Sequence, residues 1–286
     1  PDLLIDTRKR LQTEFLSCRL LEDYHLTPKT VAFDTDLNIA IFEWIEGKSL
    51  EYIENEHIDQ ALSFVKKLGD LDPLDFDLSA SEACTSANQL FIQIELRYQK
   101  LGVIENEELK KFLNNVFNPL FKDVRSWSEK CWPANNLQKN LPKSKQTLSP
   151  SDFGFHNSLL KKDGKLCFLD LEYFGWDDPV KLISDFVWHP AMSLSEAQKK
   201  RWLKESFKIF NDTGQIQERF HAAWPLYGLR WAMIILNEFH KDGWEKKMHV
   251  DENFELQREQ KLRKQIGKAN VVCAFIKANQ MECPYL

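Results

Sequence analysis

Residues 148–179 read LSPSDFGFHN (148–157), SLLKKDGKL (158–166) and CFLDLEYFGWDDP (167–179), and this stretch decides how the chain folds. Asp152 and Asn157 form a D-x-x-x-x-N pair, and a second carboxylate, Asp170, closes the apolar run 166–169. Between them, Asp163-Gly164 flanked by apolar residues predicts a β-hairpin with a two-residue turn, both central residues at positive φ. Pairing of the two strands sets Asn157, just before the first, beside Asp170, just after the second. Two carboxylates and one amide gathered this way are hard oxygen ligands, few enough to leave room for phosphate oxygens and water around a divalent cation. The same residues have a plainer reading, with Asp152 opening an Asx turn and Asp170 ending a strand. The joint spacing and the hairpin favour the chemical one.

The pattern resembles the kinase-like small-molecule phosphotransferases, the group containing the aminoglycoside phosphotransferases and choline kinases, in which H-x-D-x-x-x-x-N precedes a strand ending in Asp. Carried over by position, the resemblance implies Asp152 as catalytic base, Asn157 as a magnesium ligand, Asp170 as the principal magnesium ligand, and ATP with Mg2+ as donor. The later Glu172-Tyr-Phe-Gly-Trp-Asp-Asp-Pro179 also looks like that family. One departure is visible: Pro150 stands where the family has His. Protein kinases use the letters Asp-Phe-Gly for their metal-binding aspartate, but a catalytic H-R-D-x-x-x-x-N would then lie upstream. Residues 125–151 hold none, so 152–154 match those letters by coincidence and Asp170 takes the metal role.

The chemistry explains the residue types. A hydroxyl with a pKa near that of water, about 15.7, is not deprotonated by a carboxylate of pKa about 3.9 in the ground state. Asp152 therefore works by orientation. In a loose phosphoryl-transfer transition state the proton moves late, and most catalysis comes from in-line positioning and charge neutralisation by the metal.

With 286 residues, 43% hydrophobic and 28% charged, the chain has the size of one large domain or two closely joined lobes. A net charge of −5 without a basic block argues against a nucleic-acid partner. Six cysteines without a CxxC fit unpaired thiols in a reducing, cytoplasmic compartment. The most apolar stretch, 224–239, is interrupted by Arg230 and too short to cross a bilayer, so no membrane partner is expected. The N-terminus shows no signal-peptide pattern, and the chain begins with Pro1.

Taken in order, residues 7–24 predict a helix with Leu11, Phe15, Cys18 and Leu21 on one face. By resemblance, Glu14 on that helix is the glutamate that pairs with a phosphate-binding lysine; otherwise it is a solvated helix residue. Residues 30–33 and 38–45 predict two strands joined at 34–36. The second runs into Glu43-Trp44-Ile45, which resembles the hinge whose backbone meets the adenine edge of the nucleotide. The family's glycine-rich turn and strand lysine would precede Glu14, where the sequence has only 1–6. Helical patterns follow at 49–68, around 90–98, and at 107–127, the last broken near Asn118-Pro119. Asp177-Asp178-Pro179 is a helix start. Asp185, within the helix 180–188, resembles an aspartate that braces the catalytic loop, and His189 reads as a helix-end histidine. Helices are expected at 195–210, 220–239 and 252–277. Glu172, Trp176 and Glu238, with Tyr227 and Trp231, are candidates to line an acceptor pocket, although core packing explains the aromatics as well. The acidity of Glu172, Asp177 and Asp178 would suit a cationic acceptor such as an amine-bearing sugar or a choline-like alcohol; capping explains the same residues.

The expected architecture is α+β and protein-kinase-like: an incomplete β-containing N-lobe over residues 1–47 and a mainly α-helical C-lobe over 48–286. The expected function is ATP-dependent transfer of the γ-phosphate to a hydroxyl of a small-molecule acceptor. The rival reading is a catalytically silent kinase-like binding protein without the phosphate-gripping loop and lysine. A metal-dependent hydrolase is a third reading, weakened because His156 is the one histidine near the two aspartates.

Overall fold

The computed structural model describes residues 9–72, 76–240 and 254–286. They fall into two compact units, one built from 9–85 and Asn140–Gln217, the other from Ser86–Lys139 and Glu218–Pro284.

The first unit carries the strands. Helix α1 (Arg10–Leu20) packs on a hairpin of β1 (Thr30–Asp34) and β2 (Ile39–Phe42), with Phe15 stacked on Phe33 at 5.1 Å and tilted against Phe42 at 5.9 Å. The hairpin closes as the sequence predicts, because Asp34 Oδ1 accepts the N–H groups of Asp36 and Leu37. Residues 43–46 belong to no helix or strand and lead to β3 (Gly47–Lys48), which pairs with β5 (Ser158–Lys161). Helix α2 (Asn55–Gly69) begins later than residue 49, where its hydrophobic periodicity starts. The reason is the cap: Glu54 and His57 satisfy each other's backbone N–H groups, which fixes the first turn there.

Strand β5 returns through β6 (Leu166–Phe168), with Leu159 opposite Cys167. The turn corrects the sequence expectation. Lys161 N–H donates to the Lys165 carbonyl and Gly164 N–H to the Lys161 carbonyl, and Gly164 has φ +78° while Asp163 is not at positive φ. This is a three-residue loop, a turn followed by a left-handed glycine, which gives the same strand pairing as the two-residue turn. The remaining elements are β4 (Thr147–Ser149), paired with β7 (Gly175–Asp177), and the helices α6 (Pro179–Trp188) and α7 (Glu196–Ile209).

The second unit is helical: α3 (Ala87–Gly102), α4 (Glu107–Phe112), α5 (Asn118–Cys131), most of α8 (Ile216–Ile235) and α9 (Phe254–Ala278). No loop breaks the chain at Asn118-Pro119. A π turn over Leu113–Phe117 joins α4 to α5, the wider turn accommodating a proline that has no N–H to donate. Arg230, which interrupts the apolar stretch, is buried and donates to Gln93 Oε1 at 3.0 Å. Among the described residues no helix is long and apolar enough to cross a membrane. Residues 7 and 8, and 252 and 253, within two of the expected helices, lie outside the described residues.

Candidate active site

The loop after β4 is planted in the core by alternate residues. Phe153 and Phe155 are both buried: Phe153 stacks on Phe64 at 5.4 Å and lies 5.5 Å from Phe186, and Phe155 meets Phe186 edge-on at 5.5 Å. Phe186 in turn stacks on Trp202 at 3.8 Å. With the aromatic residues pointing inward, Asp152 is left partly open, its side chain 38% exposed. The Asp-Phe-Gly-Phe letters are thus core anchors around the aspartate.

The backbone that presents Asp152 is strained. Asp152 N–H donates to the Pro150 carbonyl at 2.9 Å, and Ser151 between them has φ +67°, a γ-turn of the disfavoured sign. Several contacts hold it. Ser151 N–H donates to Ser149 Oγ at 3.0 Å, Ser151 Oγ donates to the Ser81 carbonyl at 3.0 Å, and Lys181 Nζ donates to Ser151 Oγ at 3.2 Å. Lys181 is 1% exposed and sits between Asp177 Oδ2 at 3.2 Å and Asp185 Oδ2 at 3.1 Å. Burial pushes the Asp177 carboxyl up, against the counter-pull of the Lys181 ammonium and of the Cys84 and Asp178 N–H donors. Asp185 therefore reaches the loop through Lys181, a residue the sequence reading passed over. The available signal was an Asp-x-x-x-Lys-x-x-x-Asp spacing, Lys181 and Asp185 on one face of the helix and Asp177 one turn before it.

Asn157 ends a 3-10 turn, Phe155–Asn157, at the head of β5. Its Nδ2 donates to the Asp152 carbonyl at 3.0 Å and lies 3.4 Å from Asp152 Oδ2. Leu169 N–H donates to the Asn157 carbonyl at 2.9 Å, so the strand pairing continues to the residue before Asp170. Asp170 has φ +60°, a second left-handed non-glycine at the same end of the hairpin. Its carboxyl is pushed above the usual carboxylate range by burial, then by Glu172 and Asp152. Glu14 is pushed up as well, by burial and then by Asp170 and Glu172, while the Leu171 N–H donates to it. Asp152, Asp170, Glu172 and Glu14 thus share one negative field. Asp170 and Glu14, crowded by neighbouring carboxylates until they resist ionisation, have the chemistry a hard divalent cation neutralises, so the oxygen donors present fit magnesium.

Asp152 itself is held well below the ordinary carboxylate value. Burial raises it, but hydrogen bonds from His156 and His189 outweigh that effect. Neither histidine carried weight in the sequence. His189 does end α6, as expected there, and its Nδ1 accepts the Ala191 N–H at 3.1 Å.

The hinge-like residues line a cleft of about 570 Å3. Glu43, Trp44, Ile45 and Glu46 face Lys161, Lys165 and Cys167 of the hairpin there, and Trp44 is 90% exposed. The acceptor-pocket candidates separate. Glu172 lies 3.6 Å from Arg10 of α1, and Glu238 belongs to the other unit, where it pairs with Lys261 at 2.8 Å. Trp176 is not a pocket wall: it is buried in β7 and its Nε1 donates to the Phe76 carbonyl. Tyr227 and Trp231 are buried too. Asp178 caps α6 through the Val180 N–H, and Asp177 is fully buried, so neither adds charge to an acceptor site.

No family model matches the sequence, and no curated protein does. Solved structures do match in fold. A candidate aminoglycoside phosphotransferase from Ralstonia eutropha superposes with TM-score 0.60 at 12% identity, over 93% of this chain and 84% of that one. The choline kinase LicA, in complex with AMP, superposes with TM-score 0.52 at 17% identity, over 90% of this chain and 79% of that one. A choline/ethanolamine kinase family protein from Mesorhizobium loti gives 0.51 at 15%, over 92% and 82%. The chain therefore has the α+β kinase-like fold, with a helical C-lobe, that choline kinases and aminoglycoside phosphotransferases share.

Proposed function

We propose that the protein transfers the γ-phosphate of ATP to a hydroxyl of a small molecule. The observation that carries this is the convergence of Asp152, Asn157 and Asp170 at one end of the hairpin, in a fold shared with phosphotransferases. In this reading Asp152 orients the acceptor hydroxyl and receives its proton late. Asn157, whose amide donates to the Asp152 backbone, and Asp170, fixed by its left-handed backbone, would hold Mg2+. Bound there, the ion supplies neutralisation of phosphate charge. The cleft at Glu43, Trp44 and Ile45 takes the adenine end, Glu14 stands behind Asp170, and Asp185 braces the loop through Lys181. A structural neighbour crystallised with AMP supports a nucleotide donor. The N-terminal segment to residue 47 forms the nucleotide-side lobe, and the rest the acceptor-side one. Six free cysteines accord with a reducing, cytoplasmic setting.

The acceptor is a small alcohol, of the kind the choline and ethanolamine kinase names of structural neighbours point to. With Asp177 and Asp178 committed to structure, a preference for cations rests on Glu172 alone. The test is Mg2+·ATP-dependent phosphorylation across choline, ethanolamine, amino sugars and neutral sugars. Turnover should vanish in Asp152→Ala while nucleotide binding is largely kept; turnover that survives the substitution overturns the proposal.

One observation favours the rival, a catalytically silent binding protein: among the described residues the donor to the Glu14 carboxylate is the Leu171 N–H, not a lysine. Mg2+·ATP that raises the melting temperature without any phosphorylated product would support that reading.

A further inference from the structure

Asp152 is gripped from one side by two imidazoles. His156 Nε2 lies 3.2 Å and His189 Nε2 3.3 Å from the same oxygen, Oδ1, and the two rings stack at 4.0 Å with planes 7° apart. His156 folds back from the loop itself, over a glycine: a Cβ on Gly154 would stand 2.7 Å from its ring. His189 arrives from the end of α6, so the two donors reach the carboxylate from different elements.

The proton on His189 is placed by its neighbour. Because the Ala191 N–H donates to Nδ1, that nitrogen is an acceptor and the ring hydrogen sits on Nε2, facing Asp152. The same tautomer argues against a transition-metal site, although the three ligand atoms lie within 4.8 Å of one another. A metal on Nε2 would put the hydrogen on Nδ1, against the Ala191 donor.

We propose that His156 and His189 are positioning residues whose paired Nε2–H groups saturate Oδ1 of Asp152. They fix the rotation of the carboxylate and leave Oδ2, on the Asn157 side, as the oxygen that meets the acceptor. The hydroxyl proton then passes to Oδ2 as the hydroxyl oxygen bonds to the γ-phosphorus and the bridging oxygen leaves with ADP. This rests on the assignment of Asp152 as the base.

The test has two arms on the full chain. In long-range 1H–15N spectra of histidine-labelled protein, His156 and His189, each assigned by its glutamine variant, show the Nε2–H tautomer, and both shift in Asp152→Ala. In kinetics with the alcohol phosphorylated in the panel above, His156→Leu and His189→Leu each lower kcat about ten- to a hundred-fold, the range for a lost hydrogen bond to a charged group. The KM for ATP stays within about twofold, the signature of a group that does not bind nucleotide. Glutamine, which can offer an N–H near the Nε2 position, recovers part of the loss. An Nδ1–H tautomer at His189, or rings indifferent to removal of Asp152, overturns the inference. So does an unchanged kcat in His189→Leu while Asp152→Ala is inactive. Turnover that persists in Asp152→Ala sinks instead the assignment beneath it, whatever the tautomers.

Discussion

Replacing Lys181 by Met isolates the contact that fixes the strained loop. The substitution keeps the aliphatic stem and removes the ammonium from between Asp177, with a side chain 0% exposed, and Asp185, 6% exposed. Two buried carboxylates then lose their counter-charge, and breaking a buried ion pair in this way costs about 3–5 kcal/mol. The loss should depend on pH with a definite sign. Asp177 already has a folded-state pKa raised above its unfolded value, and without Lys181 it rises further. The stability tied to such a carboxyl is full below its unfolded pKa, about 3.9, and is lost as pH rises toward the folded value. The penalty of Lys181→Met is therefore smaller at pH 5 than at pH 8. Equilibrium urea unfolding gives the cost, and hydrogen exchange at the Cys84 and Asp178 amides, both donors to Asp177 Oδ1 at 2.8 Å, reports it locally. Neutralising the whole group, Asp177→Asn with Lys181→Met and Asp185→Asn, should restore most of the stability but not turnover, because Ser151 still lacks its brace. A single-substitution cost under about 1 kcal/mol, or one equal at both pH values, would refute the reasoning.

Gly175→Ala should cost roughly 3 kcal/mol or more in urea, since its Cβ would stand 2.4 Å from Ala80 N and Ser79 C and force apart backbone bonded through Trp176 and Tyr173; a loss below about 1 kcal/mol would contradict the packing described. Burial pushes the thiols of Cys18 and Cys273 up to about 12 and that of Cys167 to about 11. Unfolded thiols ionise near pH 8.5, so stability is lost as pH rises from there toward those folded values, by up to about 1.4 kcal/mol per pH unit for each thiol. A melting temperature that falls less steeply above pH 9 in Cys273→Ala checks this. Under native alkylation at pH 8, Cys131, the one cysteine not buried, should react before the other five.

What the sequence determined is local. Asp163-Gly164 between apolar runs was enough to pair β5 with β6, and that pairing alone carries Asn157 and Asp170 to one end of the hairpin, even though the turn has three residues. Asp178-Pro179 announced the start of α6 because capping depends on immediate neighbours. The wider architecture was legible through the order of its parts: a helix, a short hairpin, a hinge-like segment and the 148–179 stretch. The tertiary structure decided everything that depends on which distant residue arrives. His189 reaches Asp152 from the far end of α6, and Lys181 reaches Ser151. The 76–85 segment supplies the Ser81 carbonyl and the Cys84 N–H. A histidine at a helix end or a lysine in a helix reads as solvated unless its neighbours are known, because only packing removes the water that would otherwise satisfy it. The same physics withdrew Trp176 and Asp177 from the candidates for an acceptor pocket: burial among backbone donors and acceptors, which letters along one chain do not display, had already claimed their polar atoms.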